Sequence, residues 1–260
     1  GGAAVSAAAC VSPATDPPVI APPAVTSPVI APPAETLSSA PAERVVDAPE
    51  LGERVLLAID TALGTSVALC AGGRIFESVS DDSRGHAEAI GELLSRVFEM
   101  SGARPVDVQG VVAGVGPGPF TGLRVGIAAA HAFAAGRGLP VLPLQGHEAV
   151  ALAALADGAA PAVRVVQDAK RRELFVTEFS GLDWAEIPVR SADPRLVARV
   201  DHPALPRVPH EVWPERIPVA RLVQLASRRL AVGRSFEPDR ALYLRAPDVL
   251  PAAAPKRVIP

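Results

Sequence analysis

A two-lobed α/β fold is what this sequence predicts, with a full first lobe, a reduced second lobe and a Pro/Ala-rich tail in front. Three observations carry that expectation. Short apolar runs between residues 54 and 80 are separated by tight-turn signals, as in an antiparallel meander. Helical periodicities then alternate with further apolar runs, as in helix–strand units. A glycine- and proline-rich stretch, Gly114–Gly126, joins one such run to an alanine-rich segment.

The chain has 260 residues, enough for one large domain or two small lobes. Its hydrophobic content of 49% can fill a core, and its net charge of −3 gives no overall electrostatic footprint for nucleic acid. Two cysteines, Cys10 and Cys70, make no disulfide framework, and a reduced, cytoplasmic setting is expected. No apolar run reaches the roughly 18 residues of a membrane span.

Residues 1–52 are expected to be a disordered tail. Pro-Val-Ile-Ala-Pro-Pro-Ala occurs at 18–24 and again at 28–34, and such composition favours extended polyproline conformations over ladders or helices. It also lacks the positive start of a secretory leader.

The first lobe is expected over residues 53–158. Arg54–Asp60 is an apolar run ending in Asp60-Thr61, Thr65–Ala71 a second strand, and Gly72-Gly73 a hairpin turn into Arg74–Ser80. Ile90, Leu93, Leu94, Val97 and Phe98 recur at helical spacing within 85–101, and Gly102 suits the C-terminal cap. A strand at 108–115, the glycine loop, a helix to about Ala135, a strand at Val141–Leu144 and a helix at His147–Ala156 follow. The second lobe, residues 159–260, is thinner. Val163–Asp168 and Leu174–Phe179 predict a hairpin, 183–218 is broken by prolines, Pro218–Val232 is helical and Ala241–Arg245 strand-like.

The glycine loop is the chain's sharpest local signal. Glycines at 114, 116, 118 and 122 permit close backbone approach, while Pro117 and Pro119 stiffen the turn. It has no lysine for a Walker loop, and the third glycine of a dinucleotide fingerprint falls on Pro119. A tight helix–sheet junction and a recognition loop facing a ligand or partner both remain open.

Four stretches together resemble the TsaB (YeaZ) family, bacterial proteins needed for the threonylcarbamoyladenosine modification of tRNA. They are Leu57-Ala-Ile-Asp-Thr61, Gly114-x-Gly-Pro-Gly-Pro-Phe-Thr-Gly-Leu-Arg-Val-Gly126, Asp168-Ala-Lys-Arg-Arg-Glu-Leu-Phe175 and Leu242-Tyr-Leu-Arg245. The likeness runs from about residue 54 to about residue 250, and Gln145-Gly-His147 departs from the Ser-Thr expected there. It implies an actin-like (ASKHA, ribonuclease H-like) fold. It also implies a non-catalytic subunit that binds and activates or stabilises TsaD, which transfers threonylcarbamoyl to the adenosine beside the anticodon. The ATPase TsaE belongs to the same system, and tRNA would be reached indirectly through the complex.

On that resemblance the partner surface is expected at His86, Ile90, Leu93, Leu94 and Val97 of the first helix. Gly116, Gly118, Phe120, Thr121, Gly122 and Arg124 of the loop and second helix complete it. The same patch could pair two copies when the partner is absent. No cofactor of its own is implied, although an adenine nucleotide held weakly at the partner interface fits the superfamily.

The residues themselves agree with a silent subunit. Histidines 86, 131, 147, 202 and 210 include no i, i+4 pair for a metal, and no G-x-S-x-G elbow is present. Asp60-Thr61 reads as a vestigial nucleotide corner. The alternative is an ATP-dependent phosphotransferase or ATPase that uses Asp60. Arg171 and Arg172 could touch RNA, but a turn with solvated charges is the commoner meaning.

Overall fold

The structure, a computed structural model, describes residues 42–80, 85–156, 158 and 160–245. Of the tail expected at residues 1–52, residues 1–41 lie outside the described residues, as does the end of the chain after Arg245.

Six strands form the first sheet: β1 (Ala42–Asp47), β2 (Leu56–Asp60), β3 (Thr65–Ala71), β4 (Arg74–Ser80), β5 (Gly110–Gly114) and β6 (Val141–Leu144). Their order is β1-β4-β3-β2-β5-β6. The first four pair antiparallel, and β5 and β6 add parallel to β2. This is the actin-like pattern expected for the first lobe, with one addition. Ala42–Asp47, placed in the tail by composition, is instead an edge strand on β4, and a short 3-10 turn at Pro49–Leu51 leads from it into the sheet. Val45 and Val46 beside Glu43, Arg44 and Asp47 give a strand that is mostly exposed, so no burial pattern announces it.

Helices α1 (His86–Ser101) and α2 (Phe120–Arg137) cover one face of this sheet. Successive residues of a strand point to opposite faces. Accordingly Leu57, Ile59, Val67 and Leu69 join the core beneath α1 and α2. Leu56, Ala58, Ala68 and Cys70 join the core on the other face, with α3 (Gly146–Ala156) and α4 (Val219–Ala231). Burial on both faces explains why these strands read as continuous apolar runs.

The second sheet contains β7 (Val163–Asp168), β8 (Glu173–Leu182), β9 (Pro188–Ala198) and β10 (Glu211–Val212), in the order β10-β7-β8-β9. The β7–β8 hairpin is as expected. The proline-broken region is not, because β9 occupies eleven residues of it. It is an edge strand, where Pro188 and Pro194 lose no essential ladder bond, and its register slips around Glu178 and Phe179.

Two further expectations are corrected. Ala241–Arg245 makes no strand; the Leu242 N–H donates to the Val115 carbonyl, and the Glu237 N–H to that of Pro143. Helix α4, assigned to the second lobe, packs on β2 and β3 of the first sheet and on α3, which itself touches β7 and β8. The α3–α4 layer is thus shared by the two sheets. No helix among the described residues is long and apolar enough to cross a membrane.

Candidate functional site

Strand β2 ends at Asp60 and Thr61, directly under the glycine loop. Asp60 Oδ1 accepts the Ala62 N–H at 2.9 Å, while Oδ2 has no hydrogen-bond partner among the described residues. Burial pushes the Asp60 carboxyl up to about 6, against the smaller opposing effect of the Ala62 N–H. A β-carbon on Gly114 would stand 1.9 Å from that Oδ2, so only glycine fits there.

Helix α2 closes the corner from above. A β-carbon on Gly122 would lie 2.7 Å from the Thr61 carbonyl oxygen, and one on Gly126 would lie 2.2 Å from Thr61 Oγ1. Thr61 Oγ1 donates to the Gly122 carbonyl at 2.7 Å. Residues four apart share a helix face, so Gly122 and Gly126 form a bare stripe that seats α2 on Thr61. Asp60 and Thr61 are thus buried beneath the glycine loop and α2. Among the described residues, no three His, Cys, Asp or Glu side chains gather as a metal site would require.

The residues expected to form the partner surface separate into two groups. Ile90, Leu93 and Val97 are buried in the core between α1 and the sheet, so they are not a shared exposed face. Gly116, Gly118 and Gly122 are likewise buried, and Gly118 packs against Ala62. His86, half-buried at the start of α1, shares a hydrogen bond of 2.8 Å with Thr65 Oγ1 and lies beside Gly122. What reaches solvent is Leu94, Phe120, Thr121 and Arg124. Leu94 stands with Val125, Ala129, Phe98 and Phe133 as half-buried apolar side chains along the α1–α2 pair, and Phe98 and Phe133 stack at 6.1 Å. Helical spacing told that α1 has an apolar stripe; which part of it stays outside depends on the sheet below.

Tyr243 is a site residue that sequence reasoning passed over. Its ring stacks on Phe120 at 4.3 Å, and its hydroxyl accepts a hydrogen bond of 2.9 Å from Arg124 Nε. Together they line a cleft of about 410 Å³ whose other wall is Phe175, Lys170, Arg171 and Arg245. The likeness of Leu242–Arg245 to a family motif was the only signal, and nothing local told that it returns to the glycine loop.

Gln145-Gly-His147 also acquires a physical account. Gln145 donates to Glu237 at 3.1 Å, and His147, at the start of α3, bridges to Thr177 at 2.7 Å and Gln167 at 3.0 Å in the second sheet. Burial pushes the His147 imidazole down to about 4, which keeps it neutral at ordinary pH. Glu148 beside it pairs with Arg229 and Arg190, both at 2.8 Å, and Arg190 continues to Glu237 at 3.0 Å.

Comparison with known proteins places these features among relatives. A family model described as "TsaD: tRNA N6-adenosine threonylcarbamoyltransferase" matches residues 79–184, which span α1, the glycine loop, α2, α3 and the β7–β8 hairpin. An uncharacterized protein of Mycobacterium tuberculosis is 34% identical over 187 residues, covering 68% of this chain and 83% of that protein. The tRNA threonylcarbamoyladenosine biosynthesis protein TsaB of Escherichia coli is 32% identical over 125 residues, 48% of this chain and 54% of that one. Its counterpart in Haemophilus influenzae is 34% identical over 124 residues, 47% of this chain and 52% of that protein. The solved structure of YeaZ from Pseudomonas aeruginosa superposes with a TM-score of 0.65 at 22% identity, covering 74% of this chain and all of that one, a likeness of fold.

Proposed function

Since the chain belongs to the TsaB (YeaZ) family, we propose that it is a catalytically silent subunit that binds and activates or stabilises TsaD. On this reading it acts in the threonylcarbamoyladenosine modification of the adenosine beside the anticodon of tRNA, in the cytoplasm and without a cofactor of its own. TsaE completes the system. The observation that supports the reading is the closed corner: Asp60 and Thr61 are buried, and α2 seats on Thr61 through Gly122 and Gly126.

The partner surface of this reading is the outer face of α1 and α2 around Leu94, Phe98 and Phe133. A TsaD-type family model matches the residues that build this face. Two lobes of common descent can therefore meet through equivalent helix pairs, and two copies of this chain can do so when TsaD is absent. Burying such apolar area contributes roughly 25 cal/mol per Å² before the costs of association.

The test is reconstitution. The full chain should co-elute with the TsaD-type transferase on gel filtration and, with TsaE, restore tRNA modification that the transferase alone does not sustain. The isolated chain should not turn over ATP. Steady ATP turnover by the chain alone, abolished in Asp60→Asn, would instead establish the ATPase or phosphotransferase reading.

A further inference from the structure

The turn between β7 and β8 is strained. Lys170, Arg171 and Arg172 have φ of 61°, 53° and 61°, three consecutive non-glycine residues in the left-handed region. That conformation costs an L-residue energy at each position and persists only where the surroundings hold it. They do so here. The Arg199 N–H donates to the Arg172 carbonyl at 2.7 Å, and Asp168 Oδ1 accepts the Lys170 N–H at 3.0 Å. Arg245 donates to the Ala169 carbonyl at 3.3 Å and pairs with Glu173. A plain connector needs none of this, and the effect is to hold three basic side chains in one place.

The turn forms one wall of the cleft of about 410 Å³, with Phe120 and Tyr243 opposite and Phe175 below. The lining contains cations and aromatic rings, and the carboxylates beside it, Asp168 and Glu173, are engaged by Lys170 and Arg245. Flat aromatic surface beside fixed positive charge matches a base joined to a phosphate. A metal-chelated nucleotide would call for an acidic residue, whereas a phosphodiester does not. In and beside the cleft the five cations Lys170, Arg171, Arg172, Arg199 and Arg245 outnumber Asp168 and Glu173, which pair with Lys170, Arg199 and Arg245. This excess of positive charge can meet neighbouring phosphates of a strand.

We propose that this cleft is a subsite for single-stranded RNA, taking one base against Phe120 and Tyr243 and the flanking phosphates on Lys170, Arg171 and Arg172. It rests on the reading of the chain as part of a tRNA-modifying assembly, and it adds that this subunit touches the RNA directly.

Fluorescence anisotropy of the full chain with a short labelled single-stranded oligoribonucleotide, over a salt series, tests it. Tyr243→Ala should weaken binding about tenfold or more, while Tyr243→Phe, which keeps the ring, should bind like the parent. Lys170→Gln combined with Arg171→Gln should lower the slope of log affinity against log salt by about 1.4. Arg104→Gln, outside the cleft, should change neither. Equal binding by all variants, an equal loss with Arg104→Gln, or binding of AMP without the oligonucleotide would each overturn the subsite. Capture of the TsaD-type transferase is measured on the same variants. If capture persists while RNA ignores the cleft, the subsite alone fails; if RNA binds as expected but the parent chain captures no transferase, the partner reading fails and the subsite stands.

Discussion

Gly126 sits where a helix interior would ordinarily gain from alanine by about 1 kcal/mol. Here the sign reverses, because the added methyl would stand 2.2 Å from Thr61 Oγ1 and 3.0 Å from its Cγ2. Gly126→Ala should therefore destabilise the chain by about 2 kcal/mol in urea denaturation. A neutral or stabilised variant would show that α2 is free to lift from the corner. Asp60 makes a second prediction at this scale. Its carboxyl stands at about 6 in the fold against 3.8 ordinarily, so between those values the folded chain keeps a proton that the unfolded chain has lost. Stability from this group is present at low pH and falls as pH rises through that window, by roughly 3 kcal/mol in all. His147 has the opposite sense: lowered from 6.5 to about 4, it removes stability as pH falls. The two oppose each other in the parent, so the informative quantity is the difference from Asp60→Asn. That variant should be the more stable near neutrality, with the gap closing toward about pH 4. A gap independent of pH would remove burial as the cause.

Helix α1 carries adjacent leucines with different fates. Leu93 is fully buried against the sheet, and Leu94 is half-buried on the outer side. Leu93→Glu should cost about 4 kcal/mol or more and unfold the chain, seen as loss of the cooperative thermal transition. Leu94→Glu should leave the circular dichroism melt nearly unchanged and abolish co-elution with the transferase. Survival of that complex would move the partner surface elsewhere. The strands of the second sheet teach a different lesson. Prolines at 188 and 194 argue against a strand only if it has neighbours on both sides, and β9 has one. The weakly patterned β1 escapes notice for a related reason, since an exposed edge strand needs no apolar alternation.

Across the molecule, the ion pairs around Glu148 tie together parts of the chain that are distant in sequence. Glu148 lies on α3, Arg229 on α4, Arg190 on β9 and Glu237 on the final coil. Arg229 and Glu148 are both nearly excluded from solvent. Removing one partner of a buried pair leaves the other charge poorly compensated, so Arg229→Met should cost about 3 to 5 kcal/mol. Urea unfolding should show it as a lower midpoint with an unchanged slope. A loss under about 1 kcal/mol would mean that Arg190 alone satisfies Glu148.

Local information was enough for the strands β2 to β8, the four helices, the glycine loop and the family likeness. Each is written in neighbouring residues, through the period of apolar side chains, turn glycines and a run of letters too particular to arise as a connector. Tertiary structure alone decided that Leu93 faces inward while Leu94 stays outside, that α4 returns to the first sheet, and that Tyr243 stacks on Phe120 across the chain. Those outcomes depend on contacts between residues far apart in sequence, and no local pattern encodes which distant surface a side chain will meet.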